Sequence, residues 1–186
     1  GPGAKVNGWA FTQFDGTGGL RGSKGDMYEG GIRTPLLVRW PGKIKTGGTS
    51  DLPVYFPDVL PTLAEIAIAK MPLSLKPDGL TIVPELLGET AVGRAQQRHE
   101  FLYWELPAGN KGDLQQAVRM GNWKVVRRKG ALPLELFDLA TDPKETKDLA
   151  AEQPAVVEKI EAFLKTCRVP DRPPIPVVLP PGKKYQ

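Results

Sequence analysis

From Phe101 to Leu139 the chain carries four short runs that mix apolar and polar positions: Phe101–Glu105, Gln115–Met120, Trp123–Arg128 and Leu134–Leu139. Aromatic and β-branched residues dominate them, which predicts four strands. Gly121-Asn122 separates the middle pair by two residues, a strong hairpin signal. After them Val156, Val157, Ile160, Phe163, Leu164 and Cys167 fall on one helical stripe, with Pro154 near its first turn. A four-stranded antiparallel sheet with one helix laid across it is the economical arrangement.

The first hundred residues have a different texture. Residues 1–31 are rich in glycine and sustain neither a helical nor a strand period. Thr34–Trp40 reads as a short buried strand of a larger sheet, begun at Pro35 and stopped by Pro41-Gly42. Val59, Leu60, Leu63, Ile66 and Ala67 recur at helical spacing, predicting a helix over about 57–70 with Pro57 and Pro61 at its start. Pro77-Asp78-Gly79 marks a turn, and 88–98 is a polar linker. The division expected is 1–98, 99–167 and a proline-rich extended tail over 168–186.

Composition narrows the chemistry more than the fold. The 186 residues are 40% hydrophobic and 25% charged, as in globular proteins with a real core. No apolar stretch approaches the roughly 20 residues that cross a bilayer. The net charge of +4 is spread out, with no aromatic residues interleaved in a basic stripe, so nucleic acid is not an expected partner. One cysteine excludes an internal disulfide, and one histidine, His99, excludes a histidine-rich zinc site within the chain. The first residue is not Met, and Gly1-Pro2 reads either as native sequence or as a protease scar.

Candidate chemistry concentrates in Leu20–Pro35, where Lys24 stands between Gly22 and Gly25. A phosphate-binding P-loop needs Gly-Lys-Ser/Thr leading into a helix; here the order is Gly22-Ser23-Lys24-Gly25, so that motif is rejected. Two readings remain from the residues alone: a solvated loop lysine, or an ammonium that approaches an oxyanion closely because its neighbours are small.

The longer pattern is more specific. Leu20–Pro35 resembles, position by position, the sulfatase-family segment Leu-Arg-Gly-x-Lys-Gly-x-x-Tyr-Glu-Gly-Gly-Ile-Arg-x-Pro. Asp58–Ala67 is similar to the family's Asp-x-x-Pro-Thr helix. Glu135–Ala150 is similar to its Glu-Leu-Phe-Asp-Leu, Asp-Pro-x-Glu and Leu-Ala motifs. The resemblance implies the C-terminal part of an α/β, alkaline phosphatase-like fold: the end of a large mixed sheet plus the small antiparallel sheet and helix. It implies sulfate-ester hydrolysis with a formylglycine and a calcium ion, whose cysteine or serine and ligands are not in this chain. Lys24 is the one catalytic residue that carries over, as a contact to the sulfate. Implied partners are a small-molecule or glycan sulfate ester and a missing N-terminal part of the same protein; relatives are mostly exported, to periplasm or outside. A phosphate or phosphonate ester, or a non-catalytic binding module, are the alternatives.

Other polar residues have plainer readings. Cys167 continues an apolar stripe and is read as a small packing residue. Arg21, Glu29 and Arg33 are read as an ion-pair scaffold, Tyr28 as packing and His99 as surface or structural. Asp138 and Asp142 are read as turn caps, with Asp142-Pro143 as a helix-start signature.

Overall fold

The computed structural model describes residues 16–72, 74–108, 113–130 and 132–168, with the backbone of two short strands before them. Those are β1 (Lys5–Val6) and β2 (Trp9–Ala10), an antiparallel pair. Of the tail expected over 168–186, all but its first residue lies outside the described residues.

The antiparallel sheet forms as the alternation predicts. Its strands are β3 (Leu102–Pro107), β4 (Leu114–Met120), β5 (Trp123–Arg127) and β6 (Glu135–Asp138), in the order β3-β4-β5-β6. Met120 pairs with Trp123 across Gly121-Asn122, so the two-residue hairpin is where the sequence places it.

The period of two sends alternate side chains to opposite faces. On one face Val118, Val125, Leu134 and Leu136 pack with Ile160 of the C-terminal helix (Pro154–Leu164). Val156, Val157, Phe163 and Leu164 join them along the predicted stripe, and Phe163 stacks on Phe101 with ring centroids 4.2 Å apart. On the other face Ala117, Val126 and Phe137 cluster with Met27 and Tyr28, which come from the glycine-rich loop. The sheet is therefore a wall between a helix and that loop.

Four short helices precede the sheet among the described residues. The first, α1, is Glu29–Ile32; α2 is Val59–Ile66, entered through a 3-10 turn at Phe56–Asp58; α3 is Val83–Leu87. The polar segment read as a linker holds one further turn of helix, α4 (Glu89–Val92). The C-terminal helix is accordingly α5.

Asp58 explains the Asp-x-x-Pro-Thr pattern. Buried, its carboxylate accepts from the Tyr55 amide (3.0 Å) and the Leu80 amide (2.7 Å), while its carbonyl accepts from the Thr62 hydroxyl (2.6 Å). His99 completes the knot, its Nε2 2.8 Å from Asp58 Oδ1 and its ring edge-on to Tyr55. Of the two readings of His99, surface or structural, the bond to buried Asp58 favours the structural one.

Three expectations need correction. Thr34–Trp40 is not a strand: no chain runs beside it among the described residues, and a ladder cannot form from one side alone. Leu37 is 93% exposed as a result, and no end of a larger sheet forms there among those residues. The Asp142-Pro143 segment caps a turn, not a helix: Asp142 accepts from the Thr146 and Lys147 amides, and Glu145 has a φ of 55°, which no α-helix contains. Finally, α2 stops at Ile66 rather than near residue 70. Ala69 N–H reaches Ala64 O (2.8 Å) and Ile68 N–H reaches Glu65 O (3.0 Å), the two bonds of a Schellman stop.

That stop places Ile68, 91% exposed, at a φ of 54° where glycine is usual. A β-branched residue in the left-handed region costs about 1–2 kcal/mol, and this side chain returns little by packing. Ile68→Gly is expected to stabilise the protein by about 1 kcal/mol, read as a raised urea midpoint with unchanged m-value.

Candidate functional site

Lys24 sits at the tip of a turn built by residues 23–26. Asp26 N–H donates to Ser23 O (2.8 Å), and Gly25 at the third position has a φ of 94°, the pattern of a type II turn. The Asp26 carboxylate accepts from Ser23 N–H (2.8 Å) and closes the turn from inside. Lys24 itself is exposed, and no side chain among the described residues pairs with its ammonium. A cleft of about 70 Å³ lined by Leu52, Pro53, Arg98, His99, Leu102 and Arg119 does not include it. The charge is presented outward.

The turn is held by close backbone contact. Gly30 N–H donates to Arg21 O (2.7 Å), and a Cβ at Gly30 would lie 2.5 Å from Gly22 O. A Cβ at Gly31 would lie 2.2 Å from Asp26 O. Glu-Gly-Gly is therefore a packing requirement: α1 lies directly on the loop that carries Lys24.

A buried charge cluster fixes α1 to the sheet in turn. Lys124 is fully buried on β5, on the same face as Val126. Its Nζ stands 2.9 Å from Glu29 Oε1 and 2.8 Å from Glu145 Oε1. Glu29 also holds Arg33 (2.7 Å), and its own N–H donates to Glu145 Oε2 (2.6 Å). Burial pushes the Glu145 carboxyl above the usual carboxylate range, with Lys124 pulling the other way. On the flank, burial pushes the Arg119 guanidinium below its usual value, opposed by the charge of Glu29.

Arg21 closes the loop's other end. It donates from Nη1 to Glu145 O (2.8 Å), lies 3.5 Å from Glu135, and stacks 3.8 Å above the Tyr28 ring. Tyr28 donates its hydroxyl to Glu135 Oε2 (2.6 Å). The sequence reading of Arg21, Glu29 and Arg33 as a scaffold holds, with only Glu29 and Arg33 bonded to each other. Lys124 and Glu145 were not singled out. A lysine on the core face of an alternating strand was the available signal, because such a charge requires a buried carboxylate partner.

Among the described residues no group of three or more His, Cys, Asp or Glu side chains is arranged to hold a metal, so these residues do not fit a calcium site. Cys167 is half-buried behind α5; burial raises its thiol pKa, unlike the depressed values of reactive cysteines.

The family model described as "N-sulphoglucosamine sulphohydrolase, C-terminal" matches residues 23–169, from the Lys24 turn through α5. The chain belongs to the sulfatase family. It is similar to rat (Rattus norvegicus) steryl-sulfatase, 33% identical over 160 residues, covering 71% of this chain and 27% of that protein. Human (Homo sapiens) arylsulfatase A is 41% identical over 108 residues, covering 58% of this chain and 20% of the relative. Among solved structures, Ps i-CgsB superimposes with a TM-score of 0.67 at 27% identity, covering 78% of this chain and 31% of that one. The chain thus spans less than a third of the relatives it matches, and its α/β fold is that of an alkaline phosphatase-like sulfatase's C-terminal portion.

Two consequences of the sulfatase chain's buried groups are measurable. Lys124→Met leaves the Glu145 carboxylate without its cation, with only Arg33 still paired to Glu29 beside it, and is expected to cost about 3–5 kcal/mol in denaturant unfolding. Separately, Tyr28 has its hydroxyl pKa raised by burial and by the bond to Glu135. Above pH 10 the unfolded tyrosine loses its proton first, so the folded state holds more protons and stability falls as pH rises. In Tyr28→Phe that alkaline slope should be shallower, checked by urea unfolding at pH 9 to 11.

Proposed function

We propose that this chain is the C-terminal part of a sulfuric ester hydrolase of the arylsulfatase type, in which Lys24 contacts the sulfate group. The observation that carries the reading is the match from residue 23 onward to a sulfatase family model, with Lys24 exposed and unpaired on an anchored turn. The formylglycine and calcium that the resemblance implies belong, on this reading, to polypeptide outside these residues. What the chain contributes is one fixed positive charge.

That charge is suited to the task. At about 4 Å and an effective dielectric near 20, an ammonium and a sulfate oxygen attract by roughly 4 kcal/mol before desolvation. The attraction matters most where negative charge shifts onto those oxygens as the S–O bond breaks. A lysine among small neighbours reaches a tetrahedral anion end-on, whereas an arginine fork would need a different distance and orientation.

The relatives support a sulfate ester as substrate, small-molecule or glycan. Two are named above; a third is the N-acetylgalactosamine-6-O-sulfatase of Bacteroides thetaiotaomicron, 27% identical across 86% of this chain and 32% of that protein. Ps i-CgsB has also been solved with k-i-k-neocarrahexaose.

In the intact protein, Lys24→Ala is expected to lower kcat for aryl sulfate hydrolysis by about 10²–10³-fold, and Lys24→Arg to be impaired as well. Near-normal turnover of Lys24→Ala removes the assignment. Parallel assays with aryl phosphate decide between sulfate and phosphate. Residues 1–186 alone are expected to hydrolyse neither.

A further inference from the structure

We propose that Glu145 is a positioning residue for Lys24, a clamp that grips the lysine-bearing loop at both ends. This rests on the reading that Lys24 acts at the sulfate. The two grips come from different parts of one residue. Its carbonyl accepts from the Arg21 guanidinium (2.8 Å), three positions before Lys24. Its carboxylate accepts from the Glu29 amide (2.6 Å), five positions after it. Gly30 N–H to Arg21 O (2.7 Å) then ties those two ends together. The intervening segment is a closed loop with Lys24 at its tip, standing on a single side chain and carbonyl.

Three features set this apart from an ordinary buried ion pair. First, Glu145 takes a φ of 55°, a left-handed conformation that costs a non-glycine residue about 1–2 kcal/mol. Glycine would relieve that strain but would delete the carboxylate, so the strain and the grip are inseparable. Second, the remaining oxygen of Glu145 is held 2.8 Å from Lys124, itself fully buried on a sheet strand. The clamp is referenced to the core face of the sheet. Third, the Arg21 end is secured independently, by the Tyr28 ring beneath its guanidinium and by Glu135 beside it. Rigid support of this kind is what a catalytic charge requires, because displacement by about 1 Å can cost on the order of 10²-fold in rate.

The test uses the intact protein, with Glu145→Gln and Arg21→Met each made alone and in the Lys24→Ala background. Glu145→Gln keeps an acceptor for the Glu29 amide but turns two donors toward Lys124. Arg21→Met opens the other end and removes no charge from the buried Lys124, Glu29 and Glu145 group. Amide hydrogen exchange over residues 21–31 is expected to accelerate at least tenfold in either variant, ahead of any change in the β3–β6 sheet. Turnover of aryl sulfate is expected to fall about 10- to 100-fold in kcat with little change in KM, and to fall no further when Lys24 is already alanine. Full multiplication of the two losses overturns the proposal, because the substitution then acts on something other than Lys24. Unchanged exchange over 21–31 overturns it as well. Normal turnover of Lys24→Ala sinks the catalytic reading of that lysine, while the exchange measurement still decides whether Glu145 holds the loop. Should Glu145→Gln fail to fold, Glu145→Asp, which keeps the charge beside Lys124 but withdraws the carboxylate from the Glu29 amide, carries both measurements.

Discussion

A fully buried ammonium must find negative charge, and Lys124 finds it in Glu29 and Glu145. Those carboxylates come from the glycine-rich loop region and from the turn after β6, so one cation joins three separate parts of the chain. Met27, Tyr28, Ala117, Val126 and Phe137 form the apolar cluster on this same face of the sheet, and the side chains of Lys124, Glu29 and Glu145 are themselves almost wholly buried. The face of the sheet opposite α5 is therefore organised around charge, and the loop bearing Lys24 inherits its position from it.

The order of dependence runs inward from the surface. Lys24 is placed by a type II turn; the turn is placed by two glycines of α1 that admit backbone oxygens where a Cβ would clash. Glu29 of that helix is placed by Lys124 and Glu145. Each link is short and mostly backbone-mediated, so little slack accumulates between the sheet and the exposed ammonium. The same logic accounts for why the glycine-rich stretch shows no strand or helix period: its conformation is set by contacts with α1 and the sheet, not by its own hydrophobic pattern.

What could be read from the sequence divides along these lines. The four strands, the Gly121-Asn122 hairpin and the α5 stripe are local patterns, and they formed where the pattern placed them. Thr34–Trp40 has a strand's composition, but a strand is a relation between two chains, and no partner lies beside it among the described residues. The end of α2 depends on Ile68 turning left-handed, for which no glycine gave warning. Lys24 and the scaffold residues Arg21, Glu29 and Arg33 were named from one motif, whereas the distant groups that hold them were not. Glu29 and Lys124 lie 95 positions apart, and Arg21 and Glu145 lie 124 apart, so nothing in local spacing links them. The Glu of the Asp-Pro-x-Glu motif was visible as a motif member, but its role emerges only when the loop arrives against it.

Stability by itself is a poor explanation for such a cluster. Well-packed apolar residues in place of a buried ion pair are often neutral, or stabilising by about 1–4 kcal/mol, whereas deleting one partner costs about 3–5 kcal/mol. An apolar contact between α1 and β5 would hold the two elements together while tolerating sliding and rotation, since dispersion is nearly indifferent to direction. The bonds from the Lys124 ammonium to Glu29 and from the Glu29 amide to Glu145 accept only narrow ranges of distance and angle. They fix register as well as proximity. On the proposed function, the tip of this loop offers a charge to a tetrahedral anion at a set distance, and register is then the property that matters. The expense of burying three charges is then understandable as the cost of holding Lys24 in one place.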